Sequence, residues 1–145
     1  IGVGNPKQTR EIVKLFLGGD GPIRGFSPSE VALHFHDTHG TALANCLVAH
    51  ELGARTFDTS VGGTGGCPYA PGAAGNLATE DLVSMFTEMG LDCGVDLEKL
   101  FDAGMLAQEL IGKKLTGRRL QAAIGRRAKD EQRKKNPGLL EIAQS

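Results

Sequence analysis

With 145 residues, 40% of them hydrophobic and 23% charged, the chain has the length and balance of one ordinary globular domain, which excludes a fibrous or intrinsically disordered protein. No apolar run approaches the roughly 18 residues of a membrane span and no basic segment leads into an apolar stretch at the start, so no membrane association is expected and the cytosol is the default address. The net charge of -1 conceals an asymmetry: residues 113 to 136 hold ten of the sixteen Lys and Arg, against only Asp130 and Glu131.

Three cysteines, Cys46, Cys67 and Cys93, are an odd number without CxxC spacing, which argues for reduced thiols rather than a disulfide framework or a cysteine-rich zinc site. The chain opens on Ile1 inside "IGVGNP", which reads like the exit of an element that begins upstream, and a fragment is therefore expected.

In chain order, "PKQTREIVKLFL" (6 to 17) predicts a helix with Pro6 in its first turn, Ile12, Leu15 and Phe16 on one stripe and Gly18-Gly19 as the stop. "VALHFH" (31 to 36) alternates as a strand, with Val31, Leu33 and Phe35 on one face and Ala32, His34 and His36 on the other. A helix is expected over 38 to 52, carrying Leu43, Leu47 and Val48 on one side, with His39 and His50 within it and Gly53 just past its end. "ARTFDTSV" (54 to 61) alternates as a second strand. A glycine-rich loop follows to Asn76, then a helix over 77 to 89 with Leu82, Phe86 and Met89 on one stripe, and a further helix capped by Asp96. Helix, strand, helix, strand, helix is the order of a parallel βαβ arrangement, and two strands alone make no α/β sheet, so further strands are expected upstream.

Alternation places His34 and His36 side by side at the C-terminal end of a strand, where α/β proteins assemble their sites, with Asp37 opening the next loop. Such a pair either satisfies itself by hydrogen bonds to its neighbours or shares a metal ion, and the strand end favours the metal. "GGTGGCPYAPGAAGN" (62 to 76) matches neither phosphate-loop pattern. Its Cys67 reads as a small buried hydrophobe or as an exposed thiol acting as nucleophile or acid and base, on a loop that glycines such as Gly65 and Gly66 leave free to close. Asn76 fits a helix N-cap as well as an oxygen ligand to a hard cation, and Glu80 and Asp81 fit the dipole of a first helical turn. The basic tail lacks aromatic residues for base stacking, so a solvated helix is expected rather than nucleic-acid binding.

Together, "HFHDTHGTALAN" and "TFDTSVGGTGGCPYAPGAAGNLATEDLV" resemble the 3-hydroxy-3-methylglutaryl-CoA lyases of the metal-dependent TIM-barrel lyase, aldolase and synthase superfamily. The resemblance runs from about Ile1 to Gly104. It implies an α/β fold, the C-terminal portion of a (β/α)8 barrel, with "VALHFH" and "TFDTS" as strands 7 and 8, a barrel part over residues 1 to 112 and a basic helical or partly disordered tail over 113 to 145. It implies His34, His36 and Asn76 as ligands of Mg2+ or Mn2+, His34 and Cys67 as catalytic residues, Gly65 and Gly66 as loop residues supporting catalysis, and Asp37 as support behind the ligands. An acyl-CoA substrate, the upstream part of the barrel and a second copy of the parent are the implied partners. The mitochondrial matrix becomes the alternative address. The implied reaction is metal-assisted retro-Claisen cleavage to acetoacetate and acetyl-CoA, with little activity from this chain alone. Sister aldolases and acyl-CoA-condensing synthases, which share the HxH pair, and a non-catalytic fragment with a basic interaction tail are the alternatives.

Overall fold

Two short parallel strands carry the architecture. In the computed structural model, which describes residues 1–18, 25–66, 72 and 74–135, β1 (Ala32–His34) lies beside β2 (Thr56–Asp58) with Ala32 opposite Thr56, Leu33 opposite Phe57 and His34 opposite Asp58. The crossover between them is α2 (Ala42–Glu51), as the βαβ reading expects. Leu33 and Phe57 point into the helical layer, whereas Ala32, His34, Thr56 and Asp58 stand on an exposed face. Both strands are shorter than the alternation predicts. Beyond three residues the pairing passes to single bridges, His36 with Asn76 and Ser60 with Ala78, because the chain after β2 folds back across the strand ends.

α1 (Pro6–Leu17) has the predicted bounds and begins in a capping box: Asn5 Oδ1 accepts from Gln8 N at 3.1 Å and Gln8 Oε1 accepts from Asn5 N at 3.0 Å. Its buried row is Thr9 and Val13, with Leu17 packed beyond, rather than the predicted stripe. Ile12, Leu15 and Phe16 remain 53%, 41% and 36% exposed. Helical periodicity selects the helix, but which of two neighbouring rows is covered depends on what lies opposite, here Ala49 and Ala54. The same correction applies to α2, which buries the small residues Ala42, Asn45, Cys46 and Ala49 and leaves Leu43, Leu47 and Val48 half-buried. His39 lies in the turn before α2, not within it.

α3 (Thr79–Glu88) starts after Ala78, which stands at the N-cap; the N-cap reading of Asn76 is thereby corrected. Leu82 and Phe86 are buried against Ala42, Cys46 and Leu77, while Met89 is 47% exposed. α4 (Leu97–Ile111) is capped by Asp96, whose carboxylate accepts from the amides of Glu98 and Lys99, and it ends at left-handed Gly112. α5 (Arg118–Lys135) is not a freely solvated helix. Leu120 and Ala123 enter a cluster with Phe101 and Leu115, and Arg119, Arg126 and Arg127 pair with Glu88, Glu98 and Asp102 on α3 and α4.

Candidate functional site

The strand end of β1 and the segment before α3 meet at one place. His34 and His36 project to the same side, as residues two apart in extended backbone must, and their ring centroids stand 5.1 Å apart at 64°. Across from His36 lies Asn76, in an antiparallel bridge framed by Asp37 N to Gly75 O and Leu77 N to Phe35 O, each 3.0 Å. Directly opposed residues of an antiparallel bridge face the same side with Cβ atoms about 4.5–5.5 Å apart, so the amide of Asn76 joins the two imidazoles.

Two features make this group receptive to a cation. His36 Nδ1 is buried and has no hydrogen-bond partner, an orphaned polar atom of the kind that native interiors rarely tolerate. Burial, and then the neighbouring His34, also push the His36 pKa down, which keeps the ring neutral with a lone pair to offer. Among the described residues, no group of three or more His, Cys, Asp or Glu is arranged to hold a metal ion. Two imidazoles and one amide oxygen nevertheless fit a divalent cation that takes its remaining ligands from oxygen donors.

Asp37 belongs to the scaffold. Its Oδ1 accepts from Ala42 N at 2.9 Å, fixing the start of α2, and its Oδ2 lies 3.3 Å from Arg118 Nη1 at the start of α5. His34 and His36 line a cleft of about 630 Å³ with residues 1–4 and Asn45, and that N-terminal segment is held there by Thr38 Oγ1, Thr41 Oγ1 and Asn45 Nδ2, donating to the carbonyls of Ile1 and Gly4. A second cleft of about 450 Å³ runs past Asp37, His39, Asn76, Thr116 and Arg118.

The glycine loop leaves the same strand ends. Gly65 and Gly66 are exposed, and Cys67 lies outside the described residues. The two carboxylates assigned above to the helix dipole do something else. Glu80 is fully buried and both its oxygens accept from Gly62 N, at 3.0 and 2.8 Å, while Asp81 accepts from the amides of Arg118 and Arg119 at 3.0 and 2.6 Å and so caps α5. Burial raises the Glu80 pKa, with the Gly62 bond acting against it. In sequence both look like ordinary first-turn acids; only the depth at which α3 is buried separates them from that role. Burial pushes the thiols of Cys46 and Cys93 up, that of Cys46 to about 12, which disfavours the reactive thiolate at both.

A family model described as HMGL-like matches residues 1–106. The chain belongs to the HMGL-like family. Among its relatives within the family, a hydroxymethylglutaryl-CoA lyase of Bacillus subtilis is 47% identical over 121 residues, covering 83% of this chain and 38% of the relative, and the mitochondrial hydroxymethylglutaryl-CoA lyase of Rattus norvegicus is 45% identical over 122 residues, covering 84% and 36%. A solved HMG-CoA lyase from Acinetobacter baumannii, in complex with coenzyme A and 3-methylmalate, superposes with a TM-score of 0.75 at 42% identity, over 83% of this chain and 38% of that one. The chain thus spans less than two fifths of the length of these HMGL-like proteins, and its α/β fold matches the corresponding part of them. Family relatives include both mitochondrial and cytoplasmic enzymes. No described helix is long and apolar enough to cross a membrane.

Proposed function

We propose that this chain supplies the C-terminal part of a hydroxymethylglutaryl-CoA lyase, a carbon-carbon lyase that cleaves 3-hydroxy-3-methylglutaryl-CoA to acetoacetate and acetyl-CoA. The observation that carries the reading is the bridge that sets Asn76 beside His36, with His34 on the same face, in a chain whose relatives are such lyases. In this reading β1 and β2 are the seventh and eighth strands of a (β/α)8 barrel, and their exposed face with Ala32, His34, Thr56 and Asp58 looks into the barrel interior. The other strands, further ligands and much of the acyl-CoA site come from the remainder of the barrel. The complex of the Acinetobacter relative with coenzyme A supports an acyl-CoA substrate.

His34, His36 and Asn76 Oδ1 hold Mg2+ or Mn2+, which when bound acts as a Lewis acid toward the substrate's tertiary hydroxyl. His34 accepts the proton from that hydroxyl. The electron pair of the broken O–H bond forms the ketone of acetoacetate as the adjacent carbon-carbon bond breaks, and the pair from that bond passes to the α-carbon of acetyl-CoA. Cys67 delivers a proton to this carbon, and the glycine loop that carries it excludes water while it does so. His36 and Asp37 orient: the first as a ligand, the second by fixing the turn after it.

The test is acetoacetate release from 3-hydroxy-3-methylglutaryl-CoA by the full-length protein with Mg2+ or Mn2+. Cys67→Ala is expected to lower kcat by about 10²–10⁴-fold, the range of a lost acid-base group. His36→Ala is expected to abolish divalent-ion binding as well as turnover. Unchanged rates in both variants overturn the reading.

A further inference from the structure

Asn76 makes a hydrogen bond whose direction fixes the rest of its side chain. A carbonyl oxygen only accepts, so the atom that meets Thr64 O at 2.9 Å is Nδ2, and Oδ1 is turned away from the loop. Thr64 O is held from a second side by Ser60 Oγ at 2.6 Å. The contact exists because glycines allow the backbone to close in: a Cβ on Gly65, which has φ +96°, would lie 2.6 Å from Asn76 Nδ2, and Gly75 is pressed against the carbonyls of Gly63 and Gly65. Residues 62–66 are anchored at their near end as well. Gly62 N–H goes to Glu80, and Gly62 O accepts from the amides of Thr116 and Gly117 at 3.1 and 3.0 Å. Among the described residues, the support from the candidate site to this stretch is the amide of Asn76.

We propose that Asn76 couples cation binding to the position of the 62–66 stretch, offering Oδ1 to the ion and Nδ2 to the Thr64 carbonyl from one rigid amide plane. This rests on the reading of His34, His36 and Asn76 as ligands given above. An amide is planar, so restraining Oδ1 restrains the direction of both Nδ2 hydrogens, and the Thr64 carbonyl is drawn to a fixed place. The coupling is reciprocal: a loop held at Thr64 pre-orients Oδ1 and so favours binding.

Asn76→Asp separates the two roles. It keeps an oxygen ligand and adds charge, yet sets an oxygen against the Thr64 carbonyl where a donor stood. In the full-length protein, Mn2+ affinity is read from the resonance of the free ion and loop order from hydrogen exchange over residues 60–66. Mn2+ is expected to slow that exchange about tenfold in the wild type, by holding the existing Asn76–Thr64 hydrogen bond closed, an effect of the order of one net hydrogen bond. The Asn76→Asp protein is expected to bind Mn2+ within about tenfold of wild type and to lose the slowing. Gly65→Ala replaces no ligand residue but sets a Cβ against Asn76 Nδ2, so it breaks the contact with Thr64 and is expected to lose the slowing too; if Asn76→Asp binds no Mn2+, this second protein, at a Mn2+ concentration that saturates it, decides. Slowing that persists in either metal-bound variant, or Mn2+ binding that leaves wild-type exchange unchanged, overturns the coupling while the ligand reading stands. Failure of the wild type to bind Mn2+ overturns both.

Discussion

Glu80 shows how far a residue's surroundings redefine it. A glutamate two residues into a helix sits well with the helix dipole, but here it is fully buried and grips the Gly62 amide with both oxygens. A carboxyl whose pKa is raised in the folded state above the ordinary 4.5 contributes stability that is whole below that value and is lost as pH climbs through the raised one. Glu80→Gln stays neutral throughout and keeps an acceptor for Gly62 N–H. The midpoint of thermal unfolding of this variant is expected to gain on that of the wild type as pH rises from about 4.5 to neutral; a difference independent of pH would rule out the burial argument. His34 and His36 were legible in the sequence because a period of two is independent of what the strand packs against. Asn76 was legible as a polar residue before a helix, with the cap and ligand readings open; Ala78 at the N-cap removes the first, and the bridge to His36 supports the ligand role proposed above.

At the scale of elements, periodicity located the helices well and their buried rows less well. α1 and α2 bury Thr9, Val13, Ala42, Cys46 and Ala49, small or polar residues that permit close approach, while larger apolar residues beside them stay partly exposed. α5 is the sharper case. Its charge is conspicuous, yet its docking is decided by Leu120 and Ala123, because exposed ion pairs add little in water. Leu120→Ala is expected to cost about 2–5 kcal/mol in urea unfolding, the range for a fully buried leucine, while Leu110→Ala at a position 77% exposed stays within about 0.5 kcal/mol. Equal costs at the two positions would show that α5 is held by something other than its apolar edge.

For the molecule as a whole, the decisive fact is an open sheet. One face of β1 and β2 is covered by helices and the other, which bears His34, is not. Parallel strands are ordinarily covered on both faces, and the solved relatives extend well beyond the matched part. The 145-residue chain on its own is therefore expected to turn over 3-hydroxy-3-methylglutaryl-CoA at a small fraction of the full-length rate, as measured by acetoacetate release; a comparable rate would mean that the groups present here suffice. The sequence alone determined the helical segments, the parallel βαβ order, the paired histidines and the family, because these depend on local spacing and on motif residues adjacent in the chain. Only the tertiary structure decided which row each helix buries, that Glu80 and Asp81 clasp distant backbone, that the basic helix is docked, and that Asn76 faces His36. Each of these is a meeting of segments far apart in the chain, and no local pattern records the partner.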